Sequence, residues 1–519
     1  MLSRFASWTE TRPATAFAGF LALHAFLWTL LPTLFNPNLP LDGIEAMVYG
    51  REWQLGHDKL PPLPWWLVEL VRLACGCEFG FYALAQGAVA GAFGAVYWLT
   101  RALTGSLGAL AAVLVLDGIH YFGFSSVKFN HDVLQLPLWA LAGAAYWAAL
   151  RHGRQRHWLV LGAALGLAFW TKYFVVVLAL PLALFTLADP QARPVLRTPG
   201  PWLALAAALI VAAPHIAWLV GHDFLPLQYA QARAIAPRGY FDHLLHPIAA
   251  LAAQLAALIG AMLIALPLLW PRSQSEPMQR ADFDFRILAL LALGPVATLL
   301  GLSFVTGRGV VASWGFPLWL FLGSFIVFVF RRTIESWRWR RLLLAWAGVA
   351  LAYAAAFVVN YTLLPSLDHR YRAAFFPGDR LAAEMSARFR LMTGQRLAYV
   401  IADMWVGGNV SHYAPERPRV LIDGNPRRAP WIDLGDLRSK GAIVVWVSGS
   451  PCQLPAAYRA VADEAELQEP FSLPYRNGVG SVTIGWAVLR PRPTVAAAHA
   501  GYAPAPDRPE SAVTSPSIR

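Results

Sequence analysis

Between Ala14 and Leu364 the chain repeats apolar runs long enough to cross a bilayer, and this recurrence fixes its solvent before any motif is read. Roughly 20 apolar residues in a helix cover the hydrocarbon core, and about eleven such segments can be drawn. They lie near residues 14–35, 81–100, 106–123, 133–150, 157–171, 174–188, 201–220, 247–270, 286–304, 314–330 and 342–363. The fifth and sixth are short and meet at Thr171-Lys172-Tyr173, which suits tilted or half-depth helices. Of the 519 residues 57% are hydrophobic and only 14% charged, outside the range of an ordinary water-soluble domain. The run after the polar stretch Met1 to Pro13 is too long for a cleavable leader, so it is expected to stay in the membrane.

The net charge of +12 falls in short arginine clusters between the apolar runs rather than along one basic face. That pattern is topological and gives no reason to expect nucleic acid as a partner. Arg4 and Arg12, Arg101, Arg151, Arg154 and Arg156, Arg193 and Arg197, Arg272, Arg280 and Arg286, and Arg331, Arg332, Arg338, Arg340 and Arg341 all fall on one side if the N-terminus is cytoplasmic. The other side then carries residues 36–80, the turn Lys128 to Asp132, residues 221–246, the turn Thr306 to Ser313 and everything after Pro365. The expected setting is the inner membrane of a bacterium, crossed many times, with the C-terminal part in the periplasm. Three cysteines are too few for a disulfide framework, and Cys75 and Cys77 read as small buried thiols.

From about residue 366 the apolar runs shorten to strand length. Residues 396–402, 418–423, 442–448 and 481–489 are predicted strands, and 378–392 and 455–466 predicted helices. The expected fold is an α-helical polytopic membrane protein with a small C-terminal α/β periplasmic domain. Residues 1–365 would be the transmembrane domain and 366–490 the soluble one. The Pro- and Ala-rich stretch 491–519 has no hydrophobic period and is expected to be disordered.

The outward loops concentrate ionisable residues. Asp42 and Glu45 are three apart and share one face if a helix starts there. A carboxylate just outside a span suits a general base toward an acceptor hydroxyl, while the plainer reading of Asp42 is a helix cap. Asn130, His131 and Asp132 form a polar knot between two apolar spans, where ionisable groups usually face a cavity or a partner. Lys172 sits within Phe169-Trp170-Thr171-Lys172-Tyr173-Phe174, placed either to snorkel or to meet a phosphate. The third outward loop brings His215, His222, Asp223, Asp242, His243 and His246, ligand types for a divalent metal but without zinc spacing; scattered loop histidines are more often surface residues. Arg308 stands on the outward side of the late spans, against the positive-inside bias, as an anion binder or a structural ion-pair partner.

Taken in order, these residues resemble the family 39 and aminoarabinose-transferase-like glycosyltransferases of the GT-C membrane fold. The likeness rests on Asp42 with Glu45, Pro61-Pro62-Leu63 before the second span, Asn130 and Asp132 before the fourth, and Thr171-Lys172-Tyr173 between two short spans. Pro214-His215, Trp218, His222-Asp223 and Arg308 followed by Trp314-Gly-Phe-Pro317 extend it. The resemblance covers roughly residues 14–365. It implies a catalytic carboxylate at Asp42, supported by Glu45, and a second acidic position at Asp132. Lys59, Lys172 and Arg308 would hold the donor phosphate; Leu60 separates Lys59 from the Pro-Pro pair that it adjoins in related transferases. Tyr49, Asn130, His131, His215 and Asp223 are candidates for substrate contact.

The reaction so implied moves a sugar, with inversion, from a polyprenyl-phosphate donor to lipid A, another envelope glycan or, as a lesser option, protein. No cofactor is required by this chemistry, with a divalent metal left open. The rival class is a transporter or lipid flippase; against it, the chain lacks repeated halves and gathers its polar residues on one side. A third reading is a scaffold for envelope enzymes.

Overall fold

The computed structural model describes residues 2–269, 282–330, 334–368, 372–447 and 449–492. Among these, six helices are long and apolar enough to cross a membrane: Pro13–Phe35, Glu78–Asp117, His131–His152, Pro199–Gly221, Phe283–Thr306 and Ser336–Thr362. A seventh span arises if Asp242–Ala257 and Ile259–Leu269, bent by 65°, are one crossing. The protein is a multi-pass membrane protein. In Ser336–Thr362 only 17% of the most apolar window is buried by protein, so the rest of that apolar surface needs lipid.

The expected spans map onto the observed helices with two differences, at the eighth, which is bent between Asp242–Ala257 and Ile259–Leu269, and at the tenth. The second and third correspond to Glu78–Asp117, which is interrupted between them, as expected, at Gly105, whose φ of 79° and ψ of 175° only glycine adopts freely. The tenth is helical only over Leu322–Phe330, after a run of turns from Ala312. The fifth and sixth meet where expected, as the helices Gln155–Thr171 and Val176–Ala188 parted by a short 3-10 turn, Tyr173–Val175. Cys75 and Cys77 correct the expectation of buried thiols: both are exposed, as is Cys452. The reason is local, because Gly76 (φ 62°) ends the helix Leu63–Cys75 and turns the chain before the next begins.

Contacts between loops sort into two ends of the bundle. At one end Trp339 and Ser336 bond Thr9 and Glu10, Trp147 and Arg151 meet Asp284, and Arg286 pairs with Asp189. At the other end, residues of the loops after the first, third, fifth, seventh and ninth expected spans come together around one cavity. Arg272, Arg280, Arg331 and Arg332, and the tail from residue 493, lie outside the described residues.

The C-terminal part is a six-stranded sheet: β1 (Tyr399–Ala402), β2 (Arg419–Ile422), β3 (Ala442–Trp446), β4 (Glu466–Leu467), β5 (Phe471–Pro474) and β6 (Ser481–Leu489). Strand order is β2-β1-β3-β6-β4 with β5 also on β6; β1 runs parallel to β2 and β3, and β6 antiparallel to β3. All four strands read from the sequence are present. The sequence reading misses β4, β5 and the helices Met404–Tyr413 and Leu434–Lys440, and its last helix is shorter, Ala456–Ala462, because Glu466 already starts β4. Alternation along β1 and β3 explains the sheet's burial on both faces. Val400, Ala402, Ile443 and Val445 join a core that continues into the membrane helices, while Tyr399, Ile401, Ala442 and Val444 face a separate cluster.

Candidate active site

The site begins with a short helix, Leu41–Gly50, that follows the first span. Its helical spacing puts Asp42, Glu45 and Tyr49 on one side. The opposite side is buried against the helix Met404–Tyr413, so closely that a Cβ at Gly408 would stand 2.4 Å from Ile44 Cγ2. The acid-bearing helix is thus pinned by the C-terminal sheet domain as well as by the bundle.

Asn130 supplies the second element. Its side-chain oxygen caps the helix His131–His152 by accepting from the backbone N–H of Asp132 and Val133, leaving its amide free to donate to Asp42 Oδ2 at 2.8 Å. The cap and the acid of two distant segments are therefore joined by one residue. Asp132, in the first turn of that helix, pairs with Lys172 Nζ at 2.6 Å. Lys172 can reach it because its backbone is extended (φ −164°, ψ 135°) at the break between two helices, and its ammonium also lies 5.2 Å from the centre of the Trp314 ring.

Glu45 pairs with Lys59 Nζ at 2.5 Å, and the lysine lies over the Tyr229 ring. Burial pushes the Glu45 carboxyl up while Lys59 pulls it back down. Burial works against the Lys59 charge, but Glu45, Tyr229 and Asp42 outweigh it and hold the ammonium above its ordinary range. Of the three acids here, Glu45 and Asp132 each carry a lysine, whereas Asp42 accepts the Asn130 amide and forms no salt bridge among the described residues.

All of these groups line one cavity of about 550 Å³. Asp42, Glu45, Lys59, Asn130, His131, Asp132, Lys172 and Arg308 are on its wall. Leu302 and Val176, exposed, and Val310, half-buried, make with the buried Leu299 an apolar side that suits a lipid chain. His131 donates from Nε2 to the Pro61 carbonyl at 2.9 Å, a contact that ties the polar turn to the Pro-Pro pair. Arg308 reaches across to the backbone oxygen of Gln231 at 2.8 Å.

Three candidates stand off the wall. Tyr49 donates its hydroxyl to Asp58 at 2.8 Å behind the cavity. His215 donates from Nδ1 to the Leu55 carbonyl and meets the Tyr173 hydroxyl through Nε2, which links it to the wall at one remove. Asp223 is exposed, at a left-handed backbone position (φ 50°) in the loop after the helix Pro199–Gly221. The other loop histidines are spent on carbonyls: His222 on Trp218, His243 on Phe304 and His246 on Gly307. Among the described residues no group of three or more His, Cys, Asp or Glu side chains is placed to hold a metal ion.

The sequence reading misses Tyr229 and Arg233, which the helix Leu225–Arg233 brings to the wall. A signal for Arg233 was present, since in the orientation expected from the sequence it runs against the positive-inside bias as Arg308 does. Arg233, Arg308 and the two lysines give the cavity four cations against three carboxylates.

A helical bundle with this first-loop helix, a cavity at one end and a sheet region packed behind that helix has the GT-C, aminoarabinose-transferase-like fold, and the resemblance read from the sequence is borne out. Two solved structures share it over 92% of this chain and 98% of theirs. ArnT from Cupriavidus metallidurans bound to undecaprenyl phosphate has a TM-score of 0.64 at 13% identity. The same protein in the apo state has a TM-score of 0.50 at 14% identity. Residues 59–218 match the family described as dolichyl-phosphate-mannose-protein mannosyltransferase. Lipid A galacturonosyltransferase RgtD from Rhizobium johnstonii is 27% identical over 236 residues, 41% of this chain and 46% of RgtD, so the chain spans less than half the length of that curated relative.

Proposed function

We propose that this protein transfers a sugar, with inversion, from a polyprenyl monophosphate to a lipid A-like acceptor at the periplasmic face of a bacterial inner membrane. The observation that carries the proposal is the division of labour around the cavity: among the described residues Asp42 accepts the Asn130 amide and forms no salt bridge, while Glu45 and Asp132 hold lysines at its edge. An acceptor hydroxyl attacks the anomeric carbon as the bond from that carbon to the phosphate oxygen breaks. Asp42 takes the hydroxyl proton, and the polyprenyl phosphate leaves with the bonding electrons. Lys59, Lys172, Arg308 and Arg233 neutralise the growing phosphate charge, and the prenyl chain lies along the apolar wall. Asn130 orients the base; Glu45 and Asp132 orient the lysines.

The similarity to RgtD favours lipid A as acceptor class, and ArnT from Cupriavidus metallidurans, which shares the fold, is bound to undecaprenyl phosphate, which supports a polyprenyl-phosphate donor. In this reading residues 1–365 are the catalytic domain, 366–490 a periplasmic domain, and the arginine-rich end is cytoplasmic. The test is mass spectrometry of envelope lipids from cells with and without the gene, beside cells carrying Asp42→Asn. A glycolipid heavier by one sugar, present only with the intact protein, supports the proposal. Identical lipid profiles in all three, or transport of a lipid preserved in Asp42→Asn, favours the flippase reading instead.

A further inference from the structure

The geometry points to Arg428 as a positioning residue through which the C-terminal domain holds Lys59 in place for the donor phosphate, an inference that rests on the donor reading above. Arg428 sits 370 residues from its target in the chain. Its Nε donates to Asp58 Oδ2 at 2.7 Å, and a terminal nitrogen donates to Asp423 of its own turn. Asp58 accepts the Tyr49 hydroxyl on its other oxygen and so is gripped from two directions.

Two contacts fasten the loop to the Leu41–Gly50 helix side by side. Glu45 and Tyr49 are one helical turn apart, Asp58 and Lys59 are neighbours, and the pairs Glu45–Lys59 and Tyr49–Asp58 close like adjacent rungs. Arg428 anchors the outer rung to the sheet domain. The same turn adds Trp431, whose ring lies 5.1 Å from His57 and 5.9 Å from Tyr49. Asp423, at the foot of the turn, holds a left-handed φ of 54°, a conformation sparsely populated by residues with a side chain. Without Arg428 the Asp58 carboxylate, whose side chain is 14% exposed, loses its cation, and the peptide that carries Lys59 loses its outer support. Other ion pairs of the same interface, such as Arg417 with Glu69 of the helix Leu63–Cys75, dock the domain without touching this loop.

The full-length purified protein in nanodiscs is titrated with undecaprenyl phosphate for wild type and Lys59→Gln, Arg428→Gln, Arg428→Lys and Arg417→Gln, and amide hydrogen exchange is followed over residues 54–60. Arg428→Gln is expected to weaken binding about ten-fold, corresponding to about 1.4 kcal/mol. Faster exchange confined to residues 54–60 should accompany it. Arg428→Lys should recover most of both effects, and Arg417→Gln should change neither. Arg428→Gln binding like wild type while Lys59→Gln fails to bind overturns the inference and leaves the donor reading standing. A wild-type protein that does not bind the lipid refutes the donor reading, and the exchange result then decides the brace by itself: unaltered exchange in Arg428→Gln rejects it.

Discussion

Asn130 joins the cap of the helix His131–His152 to Asp42, donating to Oδ2 at 2.8 Å while its oxygen accepts two backbone N–H groups. The two duties separate by substitution. Asn130→Ser keeps a capping oxygen but withdraws the amide from Asp42, and Asn130→Ala removes both. Ser should cost activity with little change in stability. Ala should add a stability loss of about 1 kcal/mol. Thermal melts beside initial rates of sugar transfer distinguish them; equal activity in Ser and wild type would show that the Asp42 contact is idle.

Asp132 and Lys172 form a nearly buried pair, each side chain 12% exposed. Lys172→Met strands the carboxylate and is expected to destabilise the protein by about 3 kcal/mol, because one buried charge is left uncompensated. The double variant Lys172→Met with Asp132→Asn should regain most of that stability but not activity. Detergent-resistant thermal unfolding measures the first effect and transfer rate the second. Recovery of activity by the double variant would remove the lysine from the phosphate site.

Gly408 sets the distance between the sheet domain and the acid-bearing helix, since its Cβ would meet Ile44 Cγ2 at 2.4 Å. Gly408→Val should force the two helices apart and lower activity without changing any cavity-lining residue. Combined with Ile44→Ala, which opens space opposite, it should recover in part. Gly408→Val with wild-type rates would mean that this contact does not govern the site.

His57 is buried among Tyr49, Trp65 and Trp431, and burial holds its pKa well below the ordinary 6.5. The folded state keeps it neutral while the unfolded chain takes up a proton below 6.5. Stability is therefore full above that pH and declines as pH falls beneath it, by about 1 kcal/mol between pH 6.5 and 5.5. His57→Phe should flatten this part of the profile. The check is the unfolding midpoint in denaturant across that range, and parallel profiles for the two proteins would count against it.

The spans were legible because bilayer thickness writes itself into the chain as apolar runs of fixed length, and the four main strands because alternation is local. The break at Gly105 falls in the gap read between the second and third spans, whereas the 65° bend between Ala257 and Ile259 was not legible, since a helix that bends and resumes leaves no gap in hydropathy. The cavity acids and lysines were visible as charges placed where charge is costly, yet their pairing was not: the link from Asp42 to Asn130 spans 88 residues and that from Asp58 to Arg428 spans 370. Charges such as Arg428 lie in a polar domain where one more arginine stands out from nothing. Cys75 and Cys77 misled for the opposite reason, because their sequence neighbours are apolar while a helix end sets their exposure.

The most direct measurement is single-turnover transfer from a purified polyprenyl-phosphate sugar to lipid A by the reconstituted protein and by Asp42→Asn. A general base contributes about 100- to 10,000-fold. Asp42→Asn should lose activity by that order while still binding the lipid phosphate through its lysines and arginines. Transfer at the wild-type rate by Asp42→Asn would contradict the assignment of Asp42 as the base.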